Sequence, residues 1–390
     1  MRAALADAAA DDSISRRAAT IVLSAMYWRN TWKYESRGYR HLFWDSGTML
    51  ANLLACGDAM GLAPRVLTGF VDTAVNRLLG LDVRHEAALE LVPLGPETAV
   101  APVARALPPI QLDVVPLSSS EVDYPALRDM HEASMLDSAA AVDHWRTGRL
   151  DDASPRSRSS GRTVAAHDRE GNRSSAVEAH LVPLPAATRE AGRGLGDTIQ
   201  RRGSTREFGE APLSLLELAT TLWCATRPWD SDAPSGLVDV FLVANAVDGL
   251  TSGAYRYRPD AHALEIVREG AFRNESAYLC LEQPLGGDAA AVIYFLAPLD
   301  AILAARGNRG YRLANLEAGV MGGRAYLAAY AQGFGASGLT FYDRHVVEFF
   351  APASAGEDAI FVTALGRSRM RVRSEEAKIP VISRLRRQPS

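Results

Sequence analysis

The chain has 390 residues, 23% of them charged and 47% hydrophobic, with a formal net charge of −4. That is enough chain for two or three domains with cores of their own, and the mild acidity gives no reason to expect nucleic acid or an anionic membrane as a partner. Cys56, Cys224 and Cys280 are far apart and form no C-x-x-C pair, which fits a reducing cytoplasm; no apolar run reaches the length of a membrane span; and no two histidines sit at zinc spacing, so no metal is expected.

Residues 13–97 form a first unit. It contains "YRHLFWDSGTMLANLLACGDAMGLAPRVLTGFVD" from Tyr39, which reads as a long helix, a glycine stop and a short strand, and it closes with the apolar strand "ALELVPLG". Residues 98–195 open Pro-rich and continue through a helical stretch, "EVDYPALRDMHEASML". They then turn polar and rich in Ser, Arg and Gly over 147–178, a composition expected to remain flexible. Residues 196–368 read in order as a basic start, the helix "LSLLELATTLWCAT", the strand "LVDVFLVANAV", two short strands "GAYRYRP" and "ALEIVREG", a helix, and the buried strand "AAVIYFLAPL". The long helical run "YRLANLEAGVMGGRAYLAAYAQ" follows, then "GLTFY" as a strand and a final strand, "AIFVTALG". Residues 369–390 are a basic tail.

The second unit repeats the first. Tyr39-Arg40 falls on Tyr311-Arg312, Gly47 on Gly319, Met49 on Met321, Gly61 on Gly333 and Leu67-Thr68 on Leu339-Thr340; skipping Gly69 puts Phe70 on Phe341 and Asp72 on Asp343. At this spacing the counterpart of Arg202 would fall before Met1, so the first copy is expected to lack its front half, through loss or because the natural gene product is longer. The duplication also settles a motif. Gly333, Gly335 and Gly338 fit G-x-G-x-x-G, but the order is helix then strand, whereas a dinucleotide loop follows a strand and opens a helix. The first copy reads "GLAPRV" there. The glycines are read as a helix stop and turn. The small residues Gly319, Gly322 and Gly323 on the second long helix predict that it packs closely against its repeat partner, residues 41–60. A first module without its front half is expected to leave apolar sheet uncovered, hence a homodimer or poor solubility.

"RRGSTREF" alternates Arg202, Ser204 and Arg206. On an extended segment these point one way and suit a phosphate dianion; a solvated basic stretch is the alternative. With the L-S-x-x-E-L helix, "VDGLTSGAYRYRPDAHALEIVREG", "YRLANLEAG" and the closing "ALGR", residues 196–368 resemble the nitroreductase-like flavoproteins. Within them they are similar to the SagB-type dehydrogenases, which include thiazoline/oxazoline oxidases; residues 13–97 resemble a second, partial module. The resemblance implies an α+β fold with a mixed sheet and helices on both faces, two modules paired as an intramolecular pseudo-dimer, and FMN between them. It implies flavin-phosphate contacts at Arg202, Ser204, Arg206 and Arg367, and backbone against the flavin edge at Leu339, Thr340 and Phe341. In the first copy the edge positions are Leu67, Thr68, Gly69 and Phe70. The family's "PSGGALYELELY" falls on "DSDAPSGLVDVF", where only Ser231 keeps its type and Asp232-Ala233 replaces Gly-Gly. The family uses this segment to reach the flavin of the opposite module. The opposite module here is the partial one, without its own Arg-x-Ser-x-Arg, so at most one FMN per chain is expected. Lys33-Tyr34 resembles the catalytic Lys-Tyr pair of azoline oxidases, while the second copy has Ala305-Arg306 there; a solvated helix end is the alternative. Two functions follow: an FMN-dependent oxidoreductase acting on a small heterocycle or a modified peptide, or a flavin-free scaffold in a peptide-modification complex.

Overall fold

The computed structural model describes residues 1–98, 107–111, 118–148 and 181–369. The sequence expectation for 147–178 falls almost entirely outside these residues, as does the tail beyond Arg369. Eleven strands occur among the described residues: β1 (Ala19–Met26), β2 (Glu86–Leu94), β3 (Leu181–Pro183), β4 (Leu213–Ser214), β5 (Asp239–Ala244), β6 (Val247–Asp248), β7 (Gly253–Arg258), β8 (Ala263–Glu269), β9 (Ala291–Ala297), β10 (Gly335–Gly338) and β11 (Asp358–Gly366).

The fold is α+β, as the sequence implies. Its main sheet has the order β10-β11-β9-β5-β7-β8-β3. The expected mixed sheet is corrected in one respect: every ladder of this sheet is antiparallel, and parallel pairing is limited to β4–β6 and isolated bridges. Short turns between β5, β7 and β8 allow only antiparallel neighbours, since a parallel pair needs a long crossover. β9 is buried along its whole length, as a near-continuous apolar run requires. "GLTFY" is not a strand; pairing ends at Gly338, and Leu339–Tyr342 form the turn into helix Asp343–Phe350.

The repeat is visible element by element. β1, helix Gly38–Ala59, helix Asp72–Leu79 and β2 correspond to β9, helix Arg309–Ala331, helix Asp343–Phe350 and β11. β1 pairs antiparallel with β2 as β9 does with β11. The first copy therefore has a two-stranded sheet where the second has seven strands. Its apolar faces are better covered than the sequence suggested. Helix Arg2–Ala8 packs Leu5 and Ala6 with Ile14 against Leu67, Ala88 and Leu91, and helix Pro125–Ala133 sets Leu127 against Leu89 and Val92.

The two long helices pack face to face across a pseudo-twofold relation. A Cβ on Gly47 would lie 2.6 Å from the Leu316 carbonyl oxygen; one on Gly319, its repeat equivalent, would lie 2.8 Å from the Phe43 and Trp44 carbonyl oxygens. Only glycine allows backbones to approach this closely, which offsets its cost in a helix interior. Gly333 (φ +89°) ends the second helix, as read from the sequence, whereas Gly335 and Gly338 lie in β10 rather than in a turn, and Gly335 lets Thr205 approach to within contact of the backbone. Replacing Gly323 tests the helix contact, because a Cβ there would sit 2.7 Å from Ala51 Cβ and 2.9 Å from Thr48 Cα. Gly323→Leu is expected to lower stability by about 1–3 kcal/mol through overpacking, read as a lower denaturant midpoint at unchanged slope.

Candidate active site: one turn open, its repeat closed

Each module offers the other a carboxylate. Asp343 accepts from Arg37 Nη1 and Arg40 Nη1 of the first copy, both at 2.6 Å. Asp72 accepts from Arg309 Nη1 (2.7 Å) and Arg312 Nη1 (2.9 Å) of the second. These are the same residues of the repeat, exchanged. Burial pushes the Asp72 carboxyl up, and Arg309 with Arg312 more than reverses this, holding it below the ordinary range; Asp343 is lowered in the same way by Arg37 and Arg40.

The helix following each of these turns starts at its Asp, so the turns at Leu67–Phe70 and Leu339–Phe341 occupy equivalent places, the first longer by the inserted Gly69. They differ in what fills them. In the first copy Asp232 Oδ1 accepts from Thr68 N–H (2.8 Å) and Thr68 Oγ1 (3.0 Å), and Oδ2 accepts from Gly69 N–H (2.9 Å) and Arg146 Nη2 (3.1 Å). The Asp232 side chain is 0% exposed. Helix Ala139–Thr147, which the sequence reading did not anticipate, brings Trp145 against Gly69 and Arg146 onto the Gly69 carbonyl. Ser231 bridges to Val66 of this same module, and its hydroxyl accepts from Ala233 N–H. Nearby, Glu90 stands where the second copy has Phe361; burial raises its carboxyl to about 8.

In the second copy nothing equivalent fills the turn. Among the described residues no group accepts from the Thr340 or Phe341 N–H, while Leu339 N–H bonds to the Val362 carbonyl and Gln283 Nε2 donates to Thr340 Oγ1 (3.1 Å). The basic segment runs alongside β10. Thr205 N–H donates to the Ala336 carbonyl (2.9 Å), and Tyr326 Oη accepts from Gly338 N–H and lies 3.3 Å from Ser204 Oγ. Arg206 is exposed and has no acidic partner among the described residues. Arg202 donates to Asn52 Oδ1 of the first module (2.9 Å), so both modules meet at this segment. Arg367 does not stand free. It bonds to Glu217 (2.8 Å), the capping-box residue of helix Leu215–Ala225, and lies over Phe334.

The first module in turn reaches the open turn of the second. Arg37 and Arg40 lie over the Phe341 ring at 5.7 and 5.5 Å. Lys33 is exposed with its ammonium 5.0 Å from the Tyr34 ring centre. Arg37 and Arg40 of the first module thus stand at Phe341, and Lys33-Tyr34 connects to it only through His41 and Trp44; Ser204 meets the Tyr326 hydroxyl that also takes the Gly338 N–H, Arg202 reaches Asn52, and Ser231 sits with the first module. Asp232, Arg146 and Gln283 escaped the sequence reading as site residues. Only Asp232 left a signal, as a charge where small residues were expected. No cluster able to hold a metal and no helix long and apolar enough to cross a membrane occurs among the described residues.

Residues 199–367 match the Nitroreductase family model. This part of the chain has a nitroreductase-like fold. A candidate nitroreductase of Methanocaldococcus jannaschii is 28% identical over 163 residues, 40% of this chain and 82% of that protein. The crystal structure of a candidate nitroreductase from Anabaena variabilis superposes with a TM-score of 0.72 at 27% identity, covering 94% of this chain and 73% of its own, so the likeness extends over both modules. The Microcin B17-processing protein McbC of Escherichia coli is 33% identical over 69 residues, 18% of this chain and 25% of McbC.

Removing the Asp232 carboxylate tests the closed turn of this nitroreductase-like chain. Asp232→Ala would strand two amides and Arg146 in the interior, at a cost of about 3–5 kcal/mol. Formate is expected to restore part of the melting temperature in proportion to its concentration, and chloride is not. An unchanged melting temperature in the variant would remove the closed turn from the account.

Proposed function

We propose that the chain is an FMN-dependent oxidoreductase of the SagB/azoline-oxidase type with one flavin site, in the second module. The observation that carries this reading is the open Thr340–Phe341 turn, whose repeat is closed by a carboxylate. The Thr68 N–H and the N–H of the inserted Gly69 bind the two oxygens of Asp232 in the first copy, whereas the N–H of Thr340, the counterpart of Thr68, has no acceptor among the described residues. The fit to FMN has two further parts. Arg202, Ser204 and Arg206 suit a phosphate dianion. Thr205, in the same basic segment, donates its N–H to the Ala336 carbonyl of β10, the strand that leads into the Thr340–Phe341 turn. Members of this family generally bind FMN, which supplies a two-electron acceptor when bound.

The chain's own residues then have separable tasks. Arg202 and Arg206 hold the phosphate, with Ser204 adding a hydrogen bond. The Thr340 and Phe341 amides orient the ring edge, and Phe341 with Trp44 excludes water on one side. Lys33 or Tyr34, brought from the first module, takes the proton that must leave when a ring is oxidised. The substrate is a small heterocycle or an azoline in a modified peptide. The McbC likeness supports the peptide reading, over the short segment it covers. Arg367 assists through Phe334 and the helix cap rather than as a free cation, and Ser231 has no part in this site. Nucleic acid and membrane have no role in this reading, the compartment is the cytoplasm, and pairing of two chains remains compatible with it.

A flavin-free partner subunit is the competing function, and one observation favours it: Arg367 is committed to Glu217 and Arg202 to Asn52, leaving Arg206 as the unengaged cation of the expected phosphate set among the described residues. Flavin content decides. The purified protein is expected to be yellow and to release FMN identified by mass. Arg202→Ala and Arg206→Ala should each weaken retention by about 1.5–3 kcal/mol, roughly 10- to 100-fold in affinity. Colourless protein that stays colourless after incubation with FMN would establish the partner-subunit reading instead.

A further inference from the structure

A run of aromatic rings joins the modules. Tyr34 lies face to face on His41, with ring centres 3.9 Å apart and planes 13° from parallel. His41 tilts against Trp44 at 4.3 Å, and Trp44 reaches Phe341 at 6.1 Å and Phe361 at 5.2 Å. The run starts at Lys33-Tyr34 and ends at the open turn. Trp44 is itself fixed, since its Nε1 donates to Asn315 Oδ1 at 2.9 Å and Arg40 lies over its ring at 4.8 Å. Tyr34 has no such anchor. Its hydroxyl has no partner among the described residues, and its ring is held by His41 on one side and by the Lys33 ammonium nearby.

His41 is a costly residue for packing alone. It is 8% exposed and its Nε2 has no hydrogen-bond partner; a buried polar atom left so costs about 1–3 kcal/mol. The repeat counterpart is Leu313, which fills the same helix position with no polar atom. Burial, then Arg40, Arg37 and Lys33, depress the imidazole to about 3, so the ring is neutral and flat between its neighbours throughout the neutral range. The charged groups around it are these three cations on its own chain segment and, from the facing module, Asp343, which holds Arg37 and Arg40.

We infer that His41 is a positioning residue for Tyr34, a flat platform braced by Trp44 that fixes the phenol at the start of the aromatic run leading to the Thr340–Phe341 turn. The inference rests on the role given to Lys33-Tyr34 above. What the platform needs is a planar ring, so phenylalanine should replace histidine and leucine should not.

Fluorine NMR of fluorotyrosine-labelled protein reads this directly, with Tyr34→Phe identifying the Tyr34 resonance. In the parent and in His41→Phe that resonance is expected upfield, displaced by the stacked ring. In His41→Leu the displacement should vanish while circular dichroism and melting temperature stay within the range of the Phe variant. When FMN-loaded protein is reduced with dithionite, the Tyr34 resonance should shift in the parent and in His41→Phe and stay still in His41→Leu. A retained displacement in His41→Leu, or a lost one in folded His41→Phe, overturns the platform. Protein that takes up no flavin overturns the proposed function and leaves the first comparison intact, so the two failures are distinguishable. Should His41→Leu not fold, His41→Phe alone decides, because a folded Phe variant without the displacement is enough to sink the idea.

Discussion

The pairing of the two modules depends on an exchange of charge: each copy's carboxylate is gripped by two arginines of the other. Asp72 is 0% exposed, and Arg309 and Arg312 are 2% and 5% exposed. Charges this deeply buried must keep their partners, since a lone buried ion costs several kcal/mol. Separation of the modules would strand all three at once. The glycine contact between the long helices follows from the same demand, because Arg37, Arg40, Arg309 and Arg312 reach across only if the helices lie close. Gly47 and Gly319 make that closeness sterically feasible.

The symmetry of the exchange makes its breakdown informative. On the Asp343 side, Arg37 and Asp343 are 39% and 37% exposed. On the Asp72 side, helix Pro125–Ala133 adds the His131 and Ser134 carbonyls as acceptors for Arg312 and Arg309, and helix Ala139–Thr147 adds Trp145 and Arg146. The same scaffold thus yields one turn in which Asp232 satisfies the Thr68 and Gly69 amides, and one whose Thr340 and Phe341 amides have no acceptor among the described residues. The accessible side is also where the first copy differs most in chemistry from the second, with Lys33, Tyr34 and His41 standing opposite Ala305, Arg306 and Leu313.

Much of this was legible in the sequence. The repeat could be aligned because the residues that carry the exchange, Arg40 and Arg312, Asp72 and Asp343, are constrained by each other and kept their order, with a single one-residue step at Gly69. The strands β5, β7, β8, β9 and β11 were readable because buried antiparallel strands run apolar between turn residues, and helix Leu215–Ala225 announced itself through the Ser214–Glu217 capping box. What escaped was tertiary. Helix Arg2–Ala8 and helix Ala139–Thr147 are short and weakly patterned, and they form because they cover sheet and turn. The occupation of the first turn by Asp232 joins residues more than 160 positions apart, a distance at which no local pattern speaks. Arg367 was readable as a cation, while its engagement with Glu217 depends on where β11 ends relative to the helix cap.

The central claim is that one turn is open to flavin and its repeat is closed. Equilibrium dialysis of the purified chain against FMN, with bound flavin counted per chain by absorbance after denaturation, tests it most directly. The account predicts saturation at about one FMN per chain, with the parent and Asp232→Asn alike. Saturation at two, or no binding at all, would contradict it.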